Sequence, residues 1–263
     1  MTSVVNTWTS GPLLWVEIDR PGALNAINFE VMDALEAALV RFNEERDLRA
    51  MILRGAGSKA FISGGDLKEF APLKSHEDAA AMAERMHEIL SAFELIDGWV
   101  IACINGAAFG GGCETLLAAD FRVASSDATL GFTQTRFGVP CGWGGMTRLT
   151  EHVGRTKTMK WLARSEILDA TRAQEEGLVD EIFAPGDLVE QTEAFALSMC
   201  NHSREMIEAL KHMSIFGREL PRSAALAAEI EPFAELWASD EHHRRVEAFL
   251  ARDKTASPRG SES

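Results

Sequence analysis

The feature that most constrains this chain is a glycine run that follows a continuous apolar segment. The apolar segment, Trp99–Ile104, predicts a buried strand, and a helical pattern over Thr115–Ala119 follows the glycines Gly110–Gly112. Glycines at a strand-to-helix junction leave backbone N–H groups open to a ligand, and the start of a helix attracts negative charge. Glu114 stands beside them on the first helical turn. The sequence therefore predicts an anion-stabilising cradle with an acid/base group next to it.

A second glycine junction, Gly64–Asp66, follows another short apolar segment, Phe61–Ile62. If the two strands lie near one another, an N–H from each junction can converge on one oxygen atom. Two such donors stabilise the negative charge that develops on a thioester oxygen when an enolate forms. Each junction taken alone is better explained by a tight turn that needs glycine. The combination of two junctions with a carboxylate favours the cradle.

Strands and helices alternate along the chain, but several strands arrive in pairs without a helix between them. This order predicts an α/β fold built from repeated β-β-α turns. We expect a core with the active site over residues 1–187, a helical region over 188–250 and a disordered tail over 251–263. The apolar stripes of the helical region pack either on the core or on a neighbouring subunit. The main predicted elements are strands at Leu13–Ile18, Ala50–Leu53, Trp99–Ile104, Phe121–Ala124, Thr129–Phe132 and Val179–Phe183, and helices at Val31–Phe42 (capped by Asn28), Ala79–Leu95, Met146–Val153, Thr156–Ala163 and Ala170–Glu176.

Charge and composition exclude several functional classes. The net charge of −14, from 40 acidic and 26 basic residues, argues against binding of nucleic acid or an anionic membrane, because both require a basic face. The N-terminus lacks the pattern of a signal peptide, and no apolar run is long enough to span a bilayer. The cysteines and histidines lack metal-ligand spacing. We therefore expect a soluble, cytoplasmic protein with no metal site and with reduced cysteines.

Five ordered blocks of the sequence resemble the enoyl-CoA hydratase/isomerase (crotonase) superfamily. The resemblance implies a crotonase-like spiral of β-β-α turns with a C-terminal helical trimerisation region. It also implies an acyl-CoA substrate, in which coenzyme A is part of the substrate and no separate cofactor is needed, and a homo-oligomer that is a trimer or a dimer of trimers. The five blocks are Arg20-Pro21 with Leu24-Asn25-Ala26-Ile27, Phe61–Lys68, Asn105–Glu114, Gly144-Gly145 with Arg148-Leu149, and Ala173 with Gly177–Asp180.

The same resemblance assigns site residues by position. Gly65 and Gly111 would donate the two N–H groups of an oxyanion hole, and Leu24 and Ala26 would lie near the pantetheine arm. The backbone that would border the coenzyme A comprises Ile62, Ser63, Gly64, Asp66, Leu67 and Lys68. The cations Arg20, Lys59 and Lys68 are candidates to bind its phosphates, or else ordinary solvated side chains.

One position departs from the pattern of the family's hydratases, which use two glutamates. The first falls on Glu114, but the second, twenty residues later, is Gln134. A glutamine donates and accepts hydrogen bonds but cannot carry a proton at neutral pH. Glu114 would then act alone as the acid/base group, with Gln134 holding a water molecule or a substrate carbonyl. Two-carboxylate hydration of a simple enoyl-CoA should be impaired.

Two residues near Gln134 leave the reaction open. Trp143, directly before a double glycine, resembles the pattern in ethylmalonyl-CoA and methylmalonyl-CoA decarboxylases, although a plain core aromatic is an equally good interpretation. Arg136 would pair either with a substrate carboxylate or with a structural partner. Three functions remain: a hydratase/isomerase-type enzyme, a malonyl-type acyl-CoA decarboxylase, and a non-catalytic acyl-CoA binder.

Overall fold

The computed structural model describes residues 3–255, with side chains to residue 251. The chain forms two compact units, residues 3–204 and residues 205–255. Among the described helices, none has the length and apolarity needed to cross a membrane. Over the same residues, no cluster of three or more histidine, cysteine, aspartate or glutamate side chains could hold a metal ion.

The first unit contains a sheet of six strands, of which the first two form an antiparallel hairpin and the others pair in parallel. Every residue of the strand Trp99–Ile104 is buried. This burial explains its continuous apolar sequence, because a parallel strand inside a sheet is covered on both faces. In spatial order the strands are β1 (Val5–Ser10), β2 (Leu13–Ile18), β3 (Ala50–Gly55), β5 (Trp99–Ile104), β7 (Phe121–Ser125) and β10 (Glu181–Phe183).

A second, smaller sheet explains why strands arrive in pairs. Its strands, in spatial order, are β4 (Ala60–Ile62), β6 (Ala107–Phe109), β8 (Thr129–Gly131) and β9 (Ile167–Asp169). Strands β3, β5 and β7 of the large sheet are each followed by a strand of the small sheet before the next helix. The predicted β-β-α turns are therefore confirmed. One detail was wrong: the glycine run does not follow β5 directly, because β6 lies between them.

Eight helices complete the first unit. The longer ones bury an apolar stripe against the sheets. The Asn28 side chain accepts a hydrogen bond from the Val31 N–H at 3.0 Å, so the predicted cap is confirmed. The helices are α1 (Phe29–Glu44), α2 (Leu67–Phe70), α3 (His76–Leu95), α4 (Gly111–Leu117), α5 (Gly145–Val153), α6 (Arg155–Arg164), α7 (Ala170–Glu175) and α8 (Leu188–Met199).

Helix α8 belongs to the first unit, whereas the sequence predicts a helical region that begins at residue 188. Phe195 on α8 packs edge-to-face on Phe121 of β7, with ring centroids 5.6 Å apart. The Trp99 indole N–H on β5 donates to the Met199 carbonyl at 3.1 Å. These contacts tie α8 to the large sheet, so the chain divides after Arg204 rather than after residue 187.

The second unit is entirely helical. Helix α9 (Arg204–Glu219) leads into it, and it holds α10 (Arg222–Ala228), α11 (Ile230–Trp237) and α12 (Asp240–Thr255). Phe233 and Trp237 on α11 are exposed. We predicted a disordered tail over 251–263, but α12 continues to Thr255, so residues 251–255 are helical. The other residues of that prediction, 256–263, lie outside the described part of the chain.

Candidate active site

The two glycine junctions lie side by side. The segment Gly64–Asp66 is held against Ile27, whose N–H donates to the Gly64 carbonyl at 2.8 Å and whose carbonyl accepts the Asp66 N–H at 2.7 Å. Gly64 has a left-handed φ of +116°, and a methyl group in place of its side-chain hydrogen would lie 3.4 Å from the Gly111 nitrogen. The structure therefore brings together the two junctions that the sequence predicted as one cradle.

The backbone amide groups of Gly65 and Gly111 are not paired within the described structure. Among the described residues, neither amide donates a backbone hydrogen bond. Gly111 is the first residue of α4, and the N–H groups at a helix start have no acceptor within the helix. Gly110, just before it, has a left-handed φ of +53° that favours glycine. Two unpaired donors beside a helix N-terminus can stabilise an oxyanion.

Glu114 lies one turn into α4 and is 2% exposed. One carboxylate oxygen, Oε2, accepts the N–H groups of Trp143 at 2.7 Å and Gly145 at 2.9 Å. The other, Oε1, accepts the Gln134 side-chain amide at 2.9 Å and the Gly142 N–H at 3.4 Å. A carboxylate offers about four lone-pair positions, and here all four have a donor. The longest contact, from the exposed Gly142, is the easiest to replace with a substrate proton.

Gln134 opens a short 3-10 helix, Gln134–Phe137, and its side chain is buried. Its Nε2 donates to Glu114 and also approaches the Cys141 sulfur at 3.4 Å. Burial, together with the nearby Glu114 charge, raises the pKa of Cys141 to about 12. The Cys141 thiol therefore stays protonated at neutral pH and is not a nucleophile.

Trp143 covers both glycines of the cradle. A methyl group added to Gly111 would lie 2.2 Å from indole Cζ3, and one added to Gly65 would lie 3.4 Å from indole Cζ2. Phe70 completes this wall, with Cε2 2.8 Å from the same Gly65 position. Trp143 is 6% exposed and belongs to the hydrophobic core. Trp143 is therefore both a residue of the hydrophobic core and part of the wall of the candidate site.

A buried ion pair anchors the loop that carries Trp143. The Arg148 guanidinium donates to the Trp143 carbonyl at 2.9 Å and pairs with Glu94 on α3 at 2.6 Å. Because Glu114 holds the Trp143 N–H and Arg148 holds its carbonyl, the backbone on both sides of the indole is fixed.

The residues predicted to border coenzyme A lie in two adjacent segments. The Ser63 N–H donates to the Leu24 carbonyl at 3.1 Å, which joins the segments. Leu24 and Asn25 adopt left-handed φ values of +51° and +57°, and the Asn25 side-chain amide supports them by donating to the Ala60 carbonyl at 2.8 Å. Of the predicted set, Ile62, Gly64 and Ala26 are buried, Ser63 and Asp66 are half-buried, and Leu24, Leu67 and Lys68 are exposed.

The candidate phosphate-binding cations have different surroundings. Arg20 forms an ion pair with Asp66 at 2.8 Å, so its charge is already compensated. This hydrogen bond lowers the pKa of Asp66, as do the two α2 N–H groups that the Asp66 carboxylate caps. Lys68 and Lys59 are exposed, and Lys59 lines a cavity of about 260 Å³ together with Leu24 and Asn25. The two lysines are exposed and Arg20 is paired with Asp66, and all three stay candidates to bind the phosphates.

Arg136, considered as a partner for a substrate carboxylate, has a structural contact instead. Its guanidinium donates to the Ser165 carbonyl at 3.0 Å, and the residue is exposed.

Three contributors to the site were not predicted: Phe70 beside Gly65, the Glu94–Arg148 pair, and the N–H groups of Gly142 and Gly145 on Glu114. The sequence block Gly144-Gly145 with Arg148 marks Arg148 and Gly145 as family positions, but it does not predict the ion pair with Glu94 or the hydrogen bonds to Glu114.

Comparison with known proteins decides the family. The model of the enoyl-CoA hydratase/isomerase family matches residues 9–256. The chain belongs to this family. It is 29% identical to a short-chain-enoyl-CoA hydratase of Clostridium acetobutylicum over 93% of both chains, and 32% identical to a probable enoyl-CoA hydratase of Rhizobium meliloti over 94% of both.

Solved structures of this family's fold agree with the architecture. The enoyl-CoA hydratase of Bacillus anthracis superimposes with a TM-score of 0.89 at 27% identity, covering 97% of this chain and 98% of that one. The structure of Pseudomonas aeruginosa DspI gives a TM-score of 0.90 at 28% identity, covering 95% of each chain. The predicted crotonase fold is therefore confirmed, and the protein is an acyl-CoA enzyme of the enoyl-CoA hydratase/isomerase family.

Proposed function

We propose that this protein catalyses a reaction of an acyl-CoA that passes through a thioester enolate and uses a single carboxylate. The observation that carries the proposal is the pair of unpaired N–H groups, at Gly65 and Gly111, beside the buried Glu114. The thioester oxygen would accept both N–H groups. One such donor typically lowers the barrier by about 3 to 4 kcal/mol.

The first candidate reaction is proton transfer on an enoyl-CoA. Isomerisation moves a double bond by removing a proton from one carbon and returning it to another, so one carboxylate can do both. Hydration adds a hydroxyl to C3 and a proton to C2, and Glu114 would take the proton from water and pass it to C2. The names of the relatives, several of them enoyl-CoA hydratases, support this candidate.

The second candidate is decarboxylation of a malonyl-type acyl-CoA. The electrons of the breaking C–C bond would move to the thioester oxygen at Gly65 and Gly111, and CO₂ would leave. The enolate would then take a proton at C2 from a water molecule, which leaves a hydroxide ion in solution. This reaction needs no base to remove a carbon-bound proton. Two features favour decarboxylation. Four donors, one of them the Gln134 amide, occupy the lone pairs of Glu114, and Gln134 is not a second carboxylate that could move a proton.

A mass-spectrometric screen against saturated, unsaturated and dicarboxylic acyl-CoAs separates these candidates. Addition of water to an enoyl-CoA, or migration of its double bond, supports the first. Release of CO₂ from methylmalonyl-CoA or ethylmalonyl-CoA supports the second. Tight binding without turnover across the whole panel would contradict both and identify a non-catalytic binder.

Trp143 should limit the length of the acyl group. Because the indole covers the cradle, Trp143→Ala is expected to raise the affinity for decanoyl-CoA relative to butyryl-CoA about tenfold or more, since each buried methylene contributes about 0.8 kcal/mol. Titration calorimetry measures both constants. Trp143→Phe, which keeps an aromatic wall, should shift the ratio much less. An unchanged ratio in a folded Trp143→Ala variant would show that the indole does not face the acyl group.

A homotrimer or a dimer of trimers, and a cytoplasmic location, are further parts of the proposal. The apolar side chains Phe233, Trp237 and Phe249 are exposed on helices of the second unit, which supports a contact with another subunit. Light scattering of the purified protein would give three or six times the 28.8 kDa of one chain. A monomer would contradict this assembly.

A further inference from the structure

The direction of the Gly65 amide is set by its pairing with Ile27. The two residues form an isolated parallel bridge, in which the bonds to Ile27 are made by the Gly64 carbonyl and the Asp66 N–H, on either side of Gly65. In such a bridge the N–H of Gly65 itself points away from Ile27. The aim of this candidate oxyanion donor therefore depends on where the Ile27 backbone is held.

Arg20 ties one side of the bridge. Its guanidinium donates to the Ala26 carbonyl, just before Ile27, and to the Asp66 carboxylate at 2.8 Å, just after Gly65. One charged side chain therefore spans the two segments that form the bridge.

Glu69 of α2 ties the other side. Its Oε2 accepts the Asn28 side-chain amide at 2.8 Å, and its Oε1 accepts the Phe29 N–H at 3.1 Å. The Asn28 amide is oriented for this bond, because its oxygen caps α1 at the Val31 N–H. Asn28 directly follows Ile27, so Glu69 holds the chain immediately after the bridge.

Phe70, the next residue of α2, packs on the same two places. Its ring lies edge-to-face on Phe29, with centroids 5.3 Å apart, and its Cε2 lies 2.8 Å from the position of a methyl group on Gly65. Gly65 precedes the first residue of α2 by two positions. A shift of α2 away from α1 would therefore move Phe70 and displace Gly65.

We propose that Glu69 is a positioning residue for the Gly65 donor: its carboxylate ties α2 to the start of α1 and so holds the Gly65 N–H at the thioester oxygen. The inference rests on the proposed function, in which the Gly65 and Gly111 amides bind that oxygen. Glu69 acts through the backbone rather than by contact with the thioester.

Glu69→Ala is expected to lower kcat by about 10- to 100-fold, less than the loss of a whole donor, because the Ile27 bridge remains. KM should change less than kcat, since the charge on the oxygen is greatest in the transition state. A second readout is the carbon-13 resonance of bound butyryl-CoA labelled at the thioester carbonyl. Its downfield shift should be smaller in Glu69→Ala than in the wild-type protein, whereas a purely structural role would leave it unchanged.

Reversal of the polar pair tests the tie itself. In Glu69→Gln the new amide nitrogen faces the Asn28 amide, donor against donor, and only the Phe29 N–H keeps its acceptor. Adding Asn28→Asp supplies an acceptor for that nitrogen and leaves an oxygen to cap α1. The double variant should therefore recover the kcat and the carbonyl shift that Glu69→Gln loses.

Glu36→Ala is the matched control. Glu36 is a half-buried carboxylate on α1 that accepts two hydrogen bonds, both from Arg85 of α3, at 2.9 and 2.8 Å. Its removal should leave kcat and the carbonyl shift at their wild-type values.

The outcomes separate this inference from the proposed function. A carbonyl shift that is present in the wild-type protein and unchanged in folded Glu69→Ala overturns the inference and leaves the proposed function intact. An equal loss of kcat in Glu36→Ala also overturns it. A bound thioester with no shift in the wild-type protein overturns the proposed oxyanion site, and this inference with it. If Glu69→Ala does not fold by circular dichroism, the comparison of Glu69→Gln with the double variant decides.

Discussion

Glu114→Gln is expected to lower the rate of proton transfer to or from a bound enoyl-CoA by about 10²- to 10⁴-fold, the usual contribution of a general acid or base. Glu114 is the carboxylate that contacts both Gln134 and the Trp143 loop, and neither of the side chains that the described structure places beside it, Gln134 and Cys141, can replace it. Gln134 cannot carry a proton, and burial keeps Cys141 protonated. The measurement is kcat/KM with an enoyl-CoA that the wild-type protein converts.

Glu114→Gln also changes the hydrogen bonds around the side chain, and the controls must separate this effect from the loss of the proton-carrying group. A glutamine has one acceptor oxygen, so its own N–H groups would meet either the Gln134 and Gly142 donors or the Trp143 and Gly145 donors. Circular dichroism and the affinity for butyryl-CoA therefore accompany the kinetics. Glu190→Gln, on the exposed face of α8, is the matched control.

An unchanged rate in the folded Glu114→Gln variant would contradict the role of Glu114 in proton transfer. The same variant separates the two candidate reactions. Release of CO₂ from a malonyl-type thioester requires no removal of a carbon-bound proton. That activity should therefore fall much less than turnover of an enoyl-CoA.

Gly111→Ala is expected to reduce kcat by about 10²- to 10³-fold, as removal of one oxyanion donor does in other enzymes. The new methyl group would lie 2.2 Å from indole Cζ3 of Trp143, a distance that real contacts do not reach. Either the indole or the first turn of α4 must move, and the second movement displaces the Gly111 N–H. The measurement is kcat and KM with the best substrate found in the screen.

A second substitution shows which movement occurs. In Gly111→Ala combined with Trp143→Ala the clash is absent, so the loss in the free energy of unfolding should be smaller than the sum of the losses in the two single variants, since removal of the core indole has a cost of its own. Gly186→Ala serves as the control, because a methyl group there meets no atom within 4 Å. Wild-type kcat in the single variant Gly111→Ala would show that this amide does not bind the reacting oxygen.

The parts of the fold that the sequence predicted well are those encoded by local patterns. The strand Trp99–Ile104 is recognisable because every residue is apolar, and the cap at Asn28 because a polar acceptor directly precedes an apolar helical stripe. Strand β1, Val5–Ser10, was missed. Four of its six residues are polar and three are exposed, so it lacks the apolar pattern of a buried strand and is defined by its pairing with β2.

In the candidate site, too, local features are predictable from the sequence and contacts between distant segments are not. Glycine junctions and a nearby carboxylate are local features, and the sequence placed them together correctly. The occupation of Glu114 by four donors depends on a loop about thirty residues away and has no local signal. The ion pair of Arg20 with Asp66 likewise has no local signal, because the two residues lie 46 positions apart in the sequence.

Carbon-13 NMR of butyryl-CoA labelled at the thioester carbonyl tests whether the amides of Gly65 and Gly111 bind the thioester oxygen. Two N–H donors polarise the carbonyl, so the labelled resonance should move downfield when the thioester binds to the wild-type protein. The shift should persist in Glu114→Gln, which leaves both amides in place, and decrease in Gly111→Ala. A bound thioester whose carbonyl resonance stays at its free position would contradict the account.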